Sequence, residues 1–381
     1  LQARMTAMAS STQFTAVDDG WMRTRETAEY DSLGRILRVH DHGDPTDPDD
    51  DQCVEHTYAD NTSRYILDAV SRTRRVAVGC DSEATVDDVL SDSRSLFDGG
   101  SFGDAPTRGL VTAEQRIEDH DGTTPVYQTV ERTEYDDYGR TTSETDALGH
   151  VTTVAYTSEV PGGNETSVVT TNPLGHTETV LHDVGRGLPL TEIDTNGNRT
   201  DFAYDPFGRL AQVWTPDNQR DRGADPSMRF EYHISNEKPS AVVTHTRRDD
   251  GTYVSGFEIY DGLLRERQSQ SPAPGGGRVI SETFRDSRGL EVKSRHAYYN
   301  EEEPTGSLFV ATNEDDIPRY TETVHDGAER PTEVITSSRG RELWRTTSED
   351  RGDRQLVTPA EGAIPTTTIK DVRGQTVELR Q

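Results

Sequence analysis

Tyr135-Asp136-Asp137-Tyr138-Gly139-Arg140 opens a stretch, running to Trp214, that reads as one unit written nearly twice. After Gly139-Arg140 the first copy continues through Asp146, Gly149, Thr152 and Tyr156. The second runs His182-Asp183, Gly187, Asp194, Gly197, Thr200 and Tyr204, and Tyr204-Asp205 with Gly208-Arg209 begins a third. The aromatic-to-aromatic period is 21 residues in the first copy and 22 in the second. A period of this size signals repeat architecture, which takes precedence over any catalytic motif.

The residue types explain the spacing. An Asp or Asn at the first position of a turn accepts hydrogen bonds from the backbone ahead of it. A Gly three residues on takes the left-handed conformation that closes a type I turn with a bulge. Asp-x-x-Gly is therefore a hairpin corner, and Asn172-Pro173-Leu174-Gly175 and Asp205-Pro206-Phe207-Gly208 add Pro where its fixed φ suits the turn. Between corners, Thr200-Asp201-Phe202-Ala203-Tyr204 and Leu210-Ala211-Gln212-Val213-Trp214 place large apolar side chains on alternate residues, the mark of a strand covered on one face. Gly149, Gly175, Gly187, Gly197 and Gly208 are spaced by 26, 12, 10 and 11 residues, so the chain reads as a train of antiparallel hairpins.

The phrase recurs at Tyr30-Asp31 with Gly34-Arg35, at Asp286 with Gly289, and at Asp371 with Gly374. Tyr260-Asp261-Gly262 and His325-Asp326-Gly327 read as tighter Asp-Gly variants suited to two-residue hairpins. Repeats thus reach from about Tyr30 almost to the C-terminus. Only 30% of residues are apolar, too few for a thick core but enough for a single curved sheet. Recurrent Tyr, Val and Thr at strand spacing argue against a disordered chain.

Tyr-Asp-x-x-Gly-Arg followed by Asp-x-x-Gly-x-x-Thr-x-x-x-Tyr resembles the YD repeat of bacterial RHS proteins, relatives of the toxin-complex shells and the teneurins. The stretch from Tyr260 to Arg265, Pro274 to Arg278, Ser287-Arg288-Gly289 and Ala297 to Asn300 is similar to secreted actinobacterial members. The resemblance covers roughly nine tenths of the chain. It implies an all-β fold, a curved or spiral sheet forming a segment of a hollow shell that encloses a C-terminal toxin domain of the same polypeptide, placed beyond Gln381. The neighbouring repeats would be its other partners, and the location would be secreted or cell-surface.

The domain reading is a lead-in over residues 1–29, then one repeat domain over 30–381, with loops near 41–51, 86–108, 215–227, 272–277 and 301–306. Both ends, Leu1 and Gln381, read as cuts within a longer polypeptide. Met5 to Phe14 fits a strand or one short helix, and Val86 to Leu90 a short helical turn. No apolar run approaches the roughly 18 residues of a membrane helix. In an exported protein the only two cysteines, Cys53 and Cys80, favour a disulfide worth roughly 3 kcal/mol, with two separate thiols as the alternative.

Chemistry is not expected. With 69 Asp and Glu, carboxylate pairs arise everywhere, and the corner aspartates already have a task in turns. His150 and His176 follow corner glycines at the same repeat position, which suggests a shared structural slot. The acidic run with Asp44, Asp47, Asp49, Asp50 and Asp51 lacks the ordered spacing of a calcium loop and reads as a solvated turn. No cofactor or metal ligand set is expected. Asp205-Pro206-Phe207-Gly208 has a superficial likeness to the family's self-cleavage segment, but further repeats follow it. A net charge of −29 disfavours nucleic acid and suits either solubility or an acidic lumen for a basic cargo. The alternative function is a cell-surface carbohydrate-binding module, with Trp21, Trp214 and Trp344 as candidate glycan contacts. A polysaccharide-cleaving enzyme ranks third. Finally, the period predicts that Tyr135, Tyr156 and Tyr204 stack along one face of the sheet.

Overall fold

In the computed structural model, which describes residues 6–18 and 20–381, the chain is a ribbon of 27 antiparallel strands with no α-helix among the described residues. Strands β1 (Ser10–Val17), β2 (Gly20–Tyr30), β3 (Ile36–Asp41), β4 (Gln52–Tyr58), β5 (Val70–Val76), β6 (Val89–Phe97), β7 (Val111–Asp121) and β8 (Thr124–Tyr135) lead into the founding repeat. That repeat holds β9 (Thr141–Asp146), β10 (Val151–Ser158), β11 (Glu165–Thr171), β12 (Thr177–His182), β13 (Pro189–Ile193), β14 (Arg199–Tyr204) and β15 (Leu210–Trp214). Then come β16 (Met228–His233), β17 (Ser240–Arg247), β18 (Tyr253–Tyr260), β19 (Glu266–Pro272), β20 (Arg278–Arg285) and β21 (Glu291–Asn300). The last are β22 (Tyr320–His325), β23 (Pro331–Ser338), β24 (Arg341–Asp350), β25 (Arg354–Thr358), β26 (Thr366–Lys370) and β27 (Thr376–Arg380). Each strand pairs with the next in sequence, for example Thr153 with Ser143 across β9 and β10, so the ribbon is an unbroken meander.

One five-residue corner recurs along the ribbon. At Asp205, the Asp amide donates to the Arg209 carbonyl at 2.9 Å and the Gly208 amide to the Asp205 carbonyl at 3.0 Å. The Asp205 carboxylate accepts from the amides of Phe207 and Arg209 and from Arg209 Nε. Asp31 and Asp136 repeat this bonding with Arg35 and Arg140. The expected two-residue Asp-Gly hairpins are corrected here. Asp261 and Asp326 form the same five-residue corner, because Arg265 and Arg330 supply the fifth-position clamp. Leu264 at φ +58° and Glu329 at φ +66° then occupy the left-handed slot that Gly fills elsewhere.

Because successive hairpins turn at opposite edges, the corners sort into two rims. The Tyr-Asp corners all follow even-numbered strands, and the ladder slips by one residue beside the aromatic, as between Glu134 and Tyr135, Ala203 and Tyr204, and Ile259 and Tyr260. The corners at Asp146, Asn172 and Asp194, after odd-numbered strands, show no such slip. A bulge bends and twists its strand pair, so the slips that recur beside these corners bend the ribbon again and again along its length, with further slips in the β5–β6, β7–β8 and β23–β24 pairs.

The tyrosines do not stack on one another. Tyr135 and Tyr204 donate their hydroxyls to the first carbonyl of the preceding strand, Val111 and Pro189, each at 2.8 Å. Tyr156 instead lies beneath the Arg140 guanidinium, 4.5 Å away. The repeat places these residues two and four strands apart, roughly 10 and 19 Å at the usual strand spacing, which is too far for ring contact. Strand β6 also occupies part of the stretch expected as a loop at 86–108. Its buried Asp92 is neutralised by Arg72 on β5, a partner that local reading does not supply.

Candidate functional site

Two places break the monotony of a one-layer ribbon. The first is a seam between its ends. Arg351, in the corner after β24, reaches Asp18 in the turn after β1 at 3.3 Å. Arg373, in the corner after β26, bonds Asp41 Oδ2 at 3.0 Å and the Asp50 carbonyl, in the loop after β3. Both contacts therefore span 23 strands, and each joins the even-strand rim of the last hairpins to the odd-strand rim of the first. The ribbon has come round once and met itself edge to edge. A cleft of about 620 Å³, lined in part by Gln13, Met22, Arg75 and Lys370, lies along this seam.

The second is a strap. Residues 301–319, between β21 and β22, fold back over β19 to β21 and bury the thickest part of the molecule. Ile280, Tyr298, Ile317 and Tyr320 make its apolar centre. Beside it, Gln268 is wholly buried and pairs with the strap backbone like a strand, donating Nε2 to the Phe309 carbonyl at 2.8 Å and accepting the Phe309 amide at 2.9 Å. The buried Glu282 carboxylate receives Gln268, Arg295 and the Tyr298 hydroxyl, with Arg267 at 3.3 Å. Burial, then the hydrogen bond to Glu282, pushes the Tyr298 hydroxyl well above its usual range. Every oxygen of this carboxylate is used, so the cluster reads as a fastening.

The corner groups are held charged. The Arg265 side chain and amide lower Asp261 to about 2. The His150 amide and ring lower Asp146, and Asn198 lowers Asp194. His150 Nδ1 lies 2.8 Å from Asp146 and His176 Nδ1 lies 3.4 Å from Asn172, so both histidines occupy the fifth corner position that Arg fills on the other rim.

Of the proposed glycan contacts, one is covered and two are exposed. Trp214 is buried, 6% exposed, with its indole N–H on the Ala224 carbonyl under the 215–227 loop, so it is withdrawn as a contact. Its alternation within β15 pointed to a covered face, and the loop that covers it is ten residues downstream. Trp21 and Trp344 are 69% and 43% exposed, on β2 and β24. In the acidic loop, Asp44 and Asp47 accept the amides of Thr46 and Asp49, and Asp50 accepts the Asp44 amide, so these carboxylates hold the turn together. Burial raises the Asp50 carboxyl above its ordinary range. Cys53 and Cys80 form a disulfide, which ties the start of β4 to the segment after β5. Residues 1–5, including the start of the segment read as strand or helix, lie outside the described residues.

The geometry also assembles a group that sequence reading missed. His40, His42 and Asp51 each offer a donor atom within 4.8 Å of the others. The signal was His-x-His at strand spacing, with an Asp across the hairpin.

The RHS repeat family profile matches residues 183–220, the second copy and the Asp205 corner of the founding stretch. The TcdB2–TccC3 crystal structure superposes at a TM-score of 0.74 with 12% identity, covering 98% of this chain. Residues 183–220 are thus an RHS repeat set in a shell-type β-ribbon. A second crystal structure, TcdB2–TccC3–TEV, matches the ribbon at 0.74 and 11% identity, again over 98% of the chain. The ribbon spans 25% and 27% of those two chains. No curated protein matches the sequence. At these identities the likeness is one of fold: a shell-type β-ribbon, reached independently from corners, rims and seam.

Proposed function

We propose that this chain forms one circuit of the wall of an extracellular RHS shell that encloses a toxin domain of the same polypeptide. The observation that carries the reading is the seam, because a ribbon that meets its own edge after 23 strands surrounds a space. At about 4.8 Å per strand the circuit measures about 110 Å, or about 35 Å across if circular. Side chains on the inner face leave a lumen of about 25 Å. A folded 100-residue domain, with a radius of gyration near 13 Å, is about 34 Å across. At this level a cargo would therefore be held without its native fold.

The disulfide supports an oxidising compartment, outside the cytoplasm. In this reading the chain itself does no chemistry, since its buried carboxylates, Asp92, Asp201 and Glu282, are each already bonded to an arginine, and Asp201 and Glu282 to other partners as well. Glycan recognition is not part of the proposal, because Trp214, one of its three candidate contacts, is covered. Native digestion of the complete polypeptide with proteinase K tests enclosure, with fragments identified by mass spectrometry. Survival of the toxin region until the wall is denatured is the expected result. Cleavage at the rate of the isolated toxin region overturns the reading.

A further inference from the structure

The loop between β3 and β4 carries a second kind of site. His40 and His42 are two residues apart at the end of β3, so strand alternation sends both to one face, where their rings stack 3.7 Å apart. Asp51, just before β4, reaches the same face and places Oδ2 2.9 Å from His40 Nε2. Thr27 Oγ1 on β2 lies 3.2 Å from His42 Nε2 and orients that ring. The fourth wall is the backbone at Gly79. A Cβ there would stand 2.8 Å from His40 Nε2 and 2.9 Å from Asp51 Oδ2, so only a glycine lets the chain close over the pair. Gly79 is in turn anchored by its neighbour Cys80, bonded to Cys53, which sits opposite His40 in the ladder. Among the described residues, no other three His, Cys, Asp or Glu side chains converge this way.

We propose that His40, His42 and Asp51 bind a divalent transition-metal ion of the zinc class, the two stacked rings turning to aim their in-plane nitrogens at it and leaving a fourth position for water. Two imidazole nitrogens and one carboxylate oxygen suit such an ion, whereas calcium and magnesium require an all-oxygen shell. Thr27 has the role of the outer partner that fixes a ligating ring. Asp41, between the two histidines in sequence, and Asp50, beside Asp51, are the residues that receive Arg373. The ion would thus stiffen the loop on which the seam closes. This inference does not depend on what the shell encloses.

The test uses the whole chain, freed of metal with a chelator and titrated with Zn²⁺ by calorimetry, with Ca²⁺ as a parallel arm and Co²⁺ as a spectroscopic probe. One equivalent of Zn²⁺ should bind and raise the melting temperature, and Co²⁺ should give the visible absorption of a four-coordinate site. His42→Ala, which leaves the His40–Asp51 pair intact, should abolish both signals while circular dichroism stays native. Thr27→Val should weaken Zn²⁺ binding about 10–100-fold, and Asp47→Asn should leave it unchanged. Absence of stoichiometric Zn²⁺ binding overturns the site, as does binding that survives His42→Ala. Ca²⁺ binding lost in Asp47→Asn would move the cation to the acidic turn and overturn it equally.

Discussion

Exchanging the residue in the left-handed slot of the corners should move stability in opposite directions at two kinds of corner. Leu264 holds φ +58° and Gly197 holds φ +78° in the same five-residue turn. A side chain in this region costs roughly 1–2 kcal/mol. Replacing Gly by Ala returns about 0.4–1 kcal/mol by restricting the unfolded chain. At Gly197 an added Cβ meets no atom within 4 Å, so any loss is a backbone effect. Gly197→Ala should therefore destabilise by about 1 kcal/mol, and Leu264→Gly, at a largely exposed side chain, should stabilise by a similar amount. Urea midpoints at constant slope would read the global effect, and hydrogen exchange at the Arg265 and Asn198 amides the local one. A lower midpoint for Leu264→Gly would refute the idea that Asp261 and Arg265 impose the turn against the preference of Leu264. So would protection of the Asn198 amide unchanged by Gly197→Ala.

Reducing the disulfide, or replacing both Cys53 and Cys80 by Ser, should cost about 3 kcal/mol by the chain-entropy estimate, read as a lower melting temperature in reductant. Gln268→Ala should cost roughly 2–4 kcal/mol, since it removes both bonds to Phe309 and strands buried backbone groups; early proteolysis within 301–319 checks it. Acid should weaken the corners. Asp261, at about 2 in the folded chain against about 3.9 unfolded, contributes stability fully present above about pH 4 and lost as pH falls toward 2. Asp31, Asp146, Asp194 and Asp326 are lowered in the same sense, by the amides or side chains of their own corners. An acid titration followed by circular dichroism should show a transition in that window that Asp261→Asn makes shallower, while a transition centred near pH 6 would contradict the assignment.

What the sequence by itself determined is what five consecutive residues can decide. A corner is closed by bonds from Asp205 to Phe207, Gly208 and Arg209, all within four positions, so its signature is legible without any partner. The alternation of Thr200 to Tyr204 likewise reports a half-covered strand wherever that strand lies. Even where Asp261-Gly262 suggested a shorter turn, the deciding residue, Arg265, was only four positions away.

The tertiary structure decided whatever depends on which distant residues meet. Burial of Trp214 follows from a loop returning over it, and admission of Asp92 to a strand depends on Arg72 twenty residues earlier. The same holds for Gln268 under Phe309 and for His40, His42 and Asp51 beneath Gly79. Above all, closure depends on small bends summed over 23 strands until Arg373 reaches Asp41 across 332 positions. No local pattern encodes that sum, because each hairpin specifies its own turn and the circuit exists only when all of them have been taken together.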